Sequence, residues 1–497
     1  MRNRFEFLGP VISYLGALLM GLGLLLMVPW AVRLWYLHMG RAEVTAGTYI
    51  APAALAVVSG WLLRHRGQKM GGGLRQRGAM MICALAWTVL SAVGALPFCI
   101  SLGAGYLDAY FETVSGFTTT GITMFTGLDE MPHSIILWRA LLQWFGGLGI
   151  LTFFLMVVGA GAQSHRLFSA EAHKIFSRRP APSLQRTLKI LWGIYGLLTV
   201  LVAVLLVLAG TTVFDAVAHA MTCLSTGGFS PYDASIAHYR EAGYRYYVAI
   251  EYILIFGMFC GGLNFFIHFR ALTGDLESLW DNLEVRLYWL ILLGGAVVVW
   301  FDRSLEAGFV EIERTFRTSL FQVVSVATTT GYGTEDIGSG YFPALSMQFF
   351  LILMLIGGCV GSTGGGIKVM RVGVLLKMVK RQVRRVVLGR RATNLLLIDG
   401  DTIEPKEIRR IAALFFAWCC LLAVGAGITA LFNANHGPLE SASGMFSALG
   451  NIGPCYIPVE EMNRLHWLTK ITYIFGMLAG RLEILPVLML FSRWSWR

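Results

Sequence analysis

The sequence predicts an all-α membrane protein. Four concatenated units of span, pore helix, filter loop and span surround a pseudo-fourfold axis, behind an N-terminal pair of transmembrane helices. Three observations predict it. Hydrophobic side chains make up 56% of the 497 residues and charged ones only 14%, a mixture too apolar to present a surface to water. Roughly ten apolar runs approach or reach the length of about 20 residues that a helix needs to cross a bilayer. Four semi-apolar stretches lying between those runs repeat one pattern.

The runs lie near residues 8 to 36, 47 to 64, 79 to 101, 134 to 161, 188 to 210, 246 to 269, 286 to 301, 342 to 367, 411 to 432 and 465 to 492. The first is too long for a signal-peptide core and lacks a small-residue cleavage site close behind it, so it reads as a retained span. Basic residues fall on alternate connections: Arg64, Arg66, Lys69, Arg75 and Arg77, then Arg166, Lys174, Arg178, Arg179 and Arg186, then Lys377 to Arg391. Those loops and both termini are expected on the cytoplasmic side. The intervening connections hold Asp108, Glu112, Asp129 and Glu130, and later Asp302 to Asp336, and are expected to face outward.

The net charge of +11 is read as this cytoplasmic excess and not as a nucleic-acid surface. The eight cysteines form no CxxC pair and no ligand-spaced cluster with histidine, so they read as small buried hydrophobes.

The repeated stretches are "DAYFETVSGFTTTGIT", "DAVAHAMTCLSTGGFS", "TSLFQVVSVATTTGYG" and "ESASGMFSALGNIGPC". In each, a helix-compatible segment too short to span precedes a glycine, taken as Gly121, Gly227, Gly331 and Gly453. The following spans repeat as well, with "FGGLGI", "CGGLNF", "IGGCVG" and "LAGRLE". The expected units are 1–78 for the N-terminal pair, then 79–187, 188–285, 286–410 and 411–497. A non-helical loop survives at membrane depth only where it lines an aqueous path. Four such loops around one axis supply converging carbonyls that replace an ion's hydration shell. Half-helices ending at the axis, with about −0.5 charge at each C-terminus, favour a cation.

With these motifs the chain resembles the Trk/Ktr/HKT superfamily of potassium transporters, most closely its TrkH/TrkG-type subunits, over essentially its whole length. The resemblance rests chiefly on "STGGFS", "TTTGYG" and "NIGP". It implies a potassium-binding filter made of Thr119, Thr120, Gly121, Ser225, Thr226, Gly227, Thr329, Thr330, Gly331, Asn451, Ile452 and Gly453. Serine at the first glycine accompanies sodium permeability in relatives, so four glycines imply potassium uptake across a bacterial cytoplasmic membrane. The fourth segment departs from the pattern at Cys455, where a glycine often follows the proline.

The third inner span carries "GGCVGSTGGGIKVMR". Its glycines, Gly357, Gly358, Gly361, Gly364, Gly365 and Gly366, cannot sustain a helix when each costs about 1 kcal/mol against alanine. An intramembrane loop is expected, and the resemblance makes it a gate beneath the filter. Close helix packing through small residues is the alternative. Arg481, in an otherwise apolar run, is expected to face the pore or to pair with a carboxylate such as Glu483, and the resemblance makes it a pore-facing charge that resists ion passage. Lys368 is expected to snorkel to the cytoplasm.

From Lys368 to Arg410 there are twelve basic residues against four acidic ones, a surface for anionic lipid. The resemblance adds a homodimer and a TrkA-type nucleotide-binding regulatory subunit on this face. The chain has no nucleotide site of its own, since "GGGIK" lacks phosphate-loop spacing and "GGGLRQRG" follows no strand. No cofactor is expected, and potassium enters as the transported ion. An enzyme is not expected, because the spans hold no cluster of titratable groups. Proton- or sodium-coupled secondary transport remains the alternative to channel-like conduction.

Overall fold

The computed structural model describes residues 8–72, 76–159, 184–388 and 396–491. The basic connection around Arg166 to Arg179, the residues Arg390 and Arg391, and both termini lie outside the described residues. Among the described residues the architecture is helical, with one two-stranded antiparallel ladder, Leu397–Ile398 against Asp401–Thr402.

The N-terminal pair consists of Leu8–Leu25, continued by Met27–His38, packed along Gly47–Met70. Glycines at matched heights, Gly9 and Gly16 against Gly67 and Gly60, bring the two backbones into contact. A Cβ at any of the four would strike the facing backbone, which is how helices associate where lipid supplies no hydrophobic drive.

Each of the four following units has an outer span, a short helix, an extended loop and an inner span. The outer spans are Gln76–Gly94 with Leu96–Leu102, Leu184–Leu208, Leu283–Trp289 continued through a wide turn into Gly295–Ala307, and Pro405–Phe432. The short helices are Tyr106–Phe117, Val213–Leu224, Ile312–Ala327 and Pro438–Gly450, of 12, 12, 16 and 13 residues. None is long enough to cross a bilayer. Two begin on side-chain caps: Thr212 accepts from the Asp215 amide, and Glu440 accepts from the Gly437 amide.

By length and composition, five described helices qualify as spans, with a sixth if one bent pair is counted, fewer than the ten apolar runs. Part of the difference has a structural cause in the inner spans. Tyr247–Gly262 turns through 106° into Phe265–Leu272. Ala344–Leu355 stops at the glycine segment, and Trp467–Leu482 breaks at Glu483 before Ile484–Phe491. The first inner span, His133–Gly159, runs 27 residues.

The small residues of the inner spans face the ends of the short helices. A Cβ at Gly146, Gly261 or Gly480 would press on the carbonyl of Phe117, Leu224 or Leu449, respectively. These glycines let the first, second and fourth inner spans lie directly against their short helices. Charge is buried in pairs behind them. Glu112 and Arg139 meet at 2.9 Å with side chains 0% and 2% exposed, so Glu112 is an internal partner and not an outward loop charge. Its partner comes from the apolar first inner span, which is why a burial so costly for a lone carboxylate is tolerated. Arg317 likewise joins Glu251 at 2.7 Å.

Candidate selectivity filter and gate

Beyond the short helices the four loops follow one backbone path. The amides of Thr120, Gly227, Thr330 and Ile452 each donate to the carbonyl five residues back, on Ser115, Thr222, Ser325 and Ser447, at 2.8, 2.8, 2.9 and 3.1 Å. The residue before each is left-handed, with φ of 51° at Thr119, 53° at Thr226, 59° at Thr329 and 55° at Asn451. The residue after each is a glycine with φ of 86° at Gly121, 76° at Gly228, 91° at Gly331 and 107° at Gly453. Only glycine takes that second conformation without strain.

This register corrects one assignment. In the second unit the left-handed glycine is Gly228, and Gly227 holds the place of Thr120, Thr330 and Ile452. Ser225 then matches Thr118 and Thr328 at the helix end, not Thr119. Two adjacent glycines carry no side chain to tell them apart, and the helix boundary decides between them.

The loops close into a ring. A Cβ on Gly121 would strike the Gly227 carbonyl, one on Gly228 the Thr330 carbonyl, and one on Gly331 the Ile452 carbonyl. A Cβ on Gly453 would reach the Thr120 carbonyl at 3.0 Å. Each glycine therefore lies against the carbonyl that precedes the next unit's glycine, in the order first, second, third, fourth, first. Side chains brace the loops from behind. Glu112 accepts from the Met124 amide at 2.8 Å, Ser325 donates to the Tyr332 carbonyl at 2.6 Å, and Ser447 donates to the Gly453 carbonyl at 2.9 Å. The buried Tyr332 hydroxyl bonds Thr222 Oγ1 at 2.5 Å and donates to the His219 carbonyl at 3.0 Å, tying loop three to short helix two. Asn451 donates to Thr120 Oγ1 at 2.8 Å and to the Met477 carbonyl at 2.9 Å.

The glycine segment, residues 356–368, is non-helical and mostly buried, as expected. A single parallel bridge joins Ile356 and Ile367. The segment lies against the left-handed residues of the ring: the Gly365 amide donates to Thr329 Oγ1 at 2.8 Å, and Thr363 Oγ1 is 3.3 Å from Thr226 Oγ1. Thr363 also donates to the carbonyls of Leu224 and Gly261, both at 2.9 Å. A Cβ at Gly365 would overlap the Asn451 side chain. Gly357, Gly358, Gly364 and Gly366 pack on one another within the segment, and Gly361 faces Asn264.

Both basic candidates turn toward this segment. Arg481, 3% exposed, donates to the Thr363 carbonyl and to the Gly146 carbonyl, the latter at 3.3 Å. It makes no ion pair among the described residues. Glu483 pairs instead with Arg371 at 2.6 Å, which removes it as the partner of Arg481. Lys368 does not snorkel away. Its ammonium donates to the Gly364 carbonyl at 2.5 Å, because a non-helical segment leaves carbonyls that need donors. Among the described residues, Thr119 Oγ1 and Asn451 Oδ1 are buried at the ring with no protein hydrogen-bond partner.

Sequence reasoning missed Gly228, Gln143 and the Glu112–Arg139 pair. The signal for the last two was Arg139 and Gln143 four residues apart in an apolar span, on one helix face with Gly146 and Gly147. Gln143 bonds both Gly227 and Phe229, and Arg139 donates to the Ser230 carbonyl at 2.9 Å. That face holds the neighbouring unit's loop.

Four matching loops closed into a ring within a multi-pass helical membrane protein fit a cation transporter and not an enzyme. The comparisons with known proteins agree. The family model TrkH, described as cation transport protein, matches residues 48–495, and this chain belongs to the TrkH family. The Trk system potassium uptake protein TrkH of Escherichia coli K12 is 33% identical over 484 residues, covering 95% of this chain and 96% of its own. The protein of that name from Halomonas elongata is 31% identical over 500 residues, covering 98% and 99%. The crystal structure of the potassium transporter TrkH from Vibrio parahaemolyticus superposes with a TM-score of 0.86 at 29% identity, over 100% of both chains.

Proposed function

We propose that this chain mediates potassium uptake across the bacterial cytoplasmic membrane, with the ring of loops as its selectivity filter and the glycine segment as its gate. The observation that carries the reading is the ring: four left-handed glycines, each against the carbonyl ahead of the next one. Thr119, Thr120 and Gly121, Thr226 to Gly228, Thr329 to Gly331 and Asn451 to Gly453 supply the oxygens that replace water around the ion. The segment from Gly357 to Lys368, held by Arg481, blocks the exit until it moves.

The same reading includes the division into units at residues 79, 188, 286 and 411, cytoplasmic termini and a homodimer. It also includes a TrkA-type nucleotide-binding regulatory subunit on the cytoplasmic face. The basic helix Val369–Leu388 supports the last point and favours contact with anionic lipid.

Purified protein in liposomes, loaded to impose an inward potassium gradient, tests the proposal. Potassium and rubidium uptake are expected to exceed sodium uptake and to continue without a pH gradient. Equal uptake of sodium would overturn the filter reading, and a strict requirement for a proton gradient would favour proton-coupled transport.

A further inference from the structure

One of the four ring carbonyls differs from the others. Among the described residues, the carbonyls of Thr120, Thr330 and Ile452 accept no protein hydrogen bond. The Gly227 carbonyl accepts one, at 2.6 Å, from Nε2 of Gln143, while Oε1 of the same side chain accepts from the Phe229 amide at 3.0 Å. The two bonds fix the carboxamide's orientation, since the reverse would set a donor against the Phe229 N–H. Gln143 is 0% exposed and comes from the first unit, so it reaches across to the second unit's loop.

Gln143 also occupies a particular volume. Thr120, Thr330 and Ile452 carry side chains where Gly227 has none, and a Cβ on Gly227 would collide with the Gln143 carboxamide. At the matching place in the second and third inner spans, two residues ahead of Cys260 and Ile356, stand Met258 and Met354, both 0% exposed. They fill space and donate nothing.

We propose that Gln143 is a positioning residue for ion selectivity, holding the Gly227 carbonyl at its radius and sharing one of its lone pairs. The inference rests on reading the ring as the filter. Gly227 is followed by Gly228, so its peptide plane has little intrinsic restraint. Without the carboxamide this carbonyl is free to tip inward. A flexible carbonyl of higher field strength closes on a smaller ion, which erodes discrimination against sodium. The clamp therefore favours the larger ion.

The test is Gln143→Met in the full-length protein in liposomes, which installs the side chain that the second and third units have. The potassium to sodium uptake ratio is expected to fall about twofold to tenfold, the equivalent of one neutral hydrogen bond of about 0.5–1.5 kcal/mol. Gly331→Ser, on a loop that Gln143 does not touch, is measured beside it. An altered ratio in Gly331→Ser with an unchanged one in Gln143→Met overturns the role of Gln143 and spares the filter; unchanged ratios in both overturn both. A second arm does not depend on how Gln143→Met folds. Gly227→Thr is expected to abolish uptake through collision with the carboxamide, and Gly227→Thr with Gln143→Ala to recover it, because alanine vacates the volume that the threonine side chain needs. No recovery, or an active Gly227→Thr alone, overturns the proposal.

Discussion

Replacing Arg481 by methionine isolates what its charge does. The guanidinium is buried, bonds the Thr363 carbonyl of the glycine segment and the Gly146 carbonyl of the first inner span, and has no carboxylate partner among the described residues. Methionine keeps most of the volume and removes two effects. The first is the latch: a hydrogen bond from a charged donor contributes about 1.5–3 kcal/mol, so losing the bond to Thr363 shifts the closed segment toward open about tenfold to a hundredfold. The second is repulsion, since a unit charge about 6 Å from a passing cation costs it roughly 3 kcal/mol at an effective dielectric near 20. Both act in one direction. Rubidium uptake into liposomes, normalised to folded protein by gel filtration, is expected to rise at least tenfold, with the potassium to sodium ratio kept. Folded yield is expected to hold or improve, because an unpaired buried charge is a cost to the fold. Unchanged or lower uptake per molecule at normal yield would refute the barrier and the latch together.

Two further outcomes follow from the same geometry. Gly228→Ala puts a Cβ at φ 76° against the Thr330 carbonyl, so it is expected to impair uptake as severely as Gly331→Ala, and normal uptake in Gly228→Ala alone would return the glycine role to Gly227. Thr363→Val removes the hydroxyl that bonds Leu224, Gly261 and Thr226 while keeping the shape; basal uptake is expected to rise severalfold from the loss of about 1 kcal/mol per bond, and a fall at normal folded yield would mean that the segment is packing and not a gate.

The repeats were legible because each loop needs a short helix, an extended turn and a glycine, and those demands leave residues in the sequence. The glycine segment was legible for the same reason, since no helix tolerates "GGCVGSTGGGIK". What stayed hidden depends on contacts between elements distant in the sequence and on the local path of the backbone. Glu112 and Arg139 are 27 residues apart and Gln143 and Gly227 are 84 apart, and no local pattern links either pair. Lys368 was misjudged because snorkelling assumes water as the nearest acceptor, whereas the non-helical segment presents the Gly364 carbonyl first. The break at Glu483 separates it from Arg481 and gives it to Arg371, a choice invisible without the backbone.

The ring closes through one contact unlike the other three. First to second, second to third and third to fourth join units that are neighbours along the chain. The fourth meets the first across 331 residues, where Asn451 bonds Thr120 and Gly453 lies against the Thr120 carbonyl. During synthesis the chain enters the membrane from its N-terminus, so the first three loops are made before the fourth exists. An unfinished or truncated polypeptide has three sides of a ring and an open flank with no Asn451 to bond Thr120. On the proposed reading of the ring as the filter, its closure is thereby tied to arrival of the fourth unit, and the three earlier loops cannot form it alone.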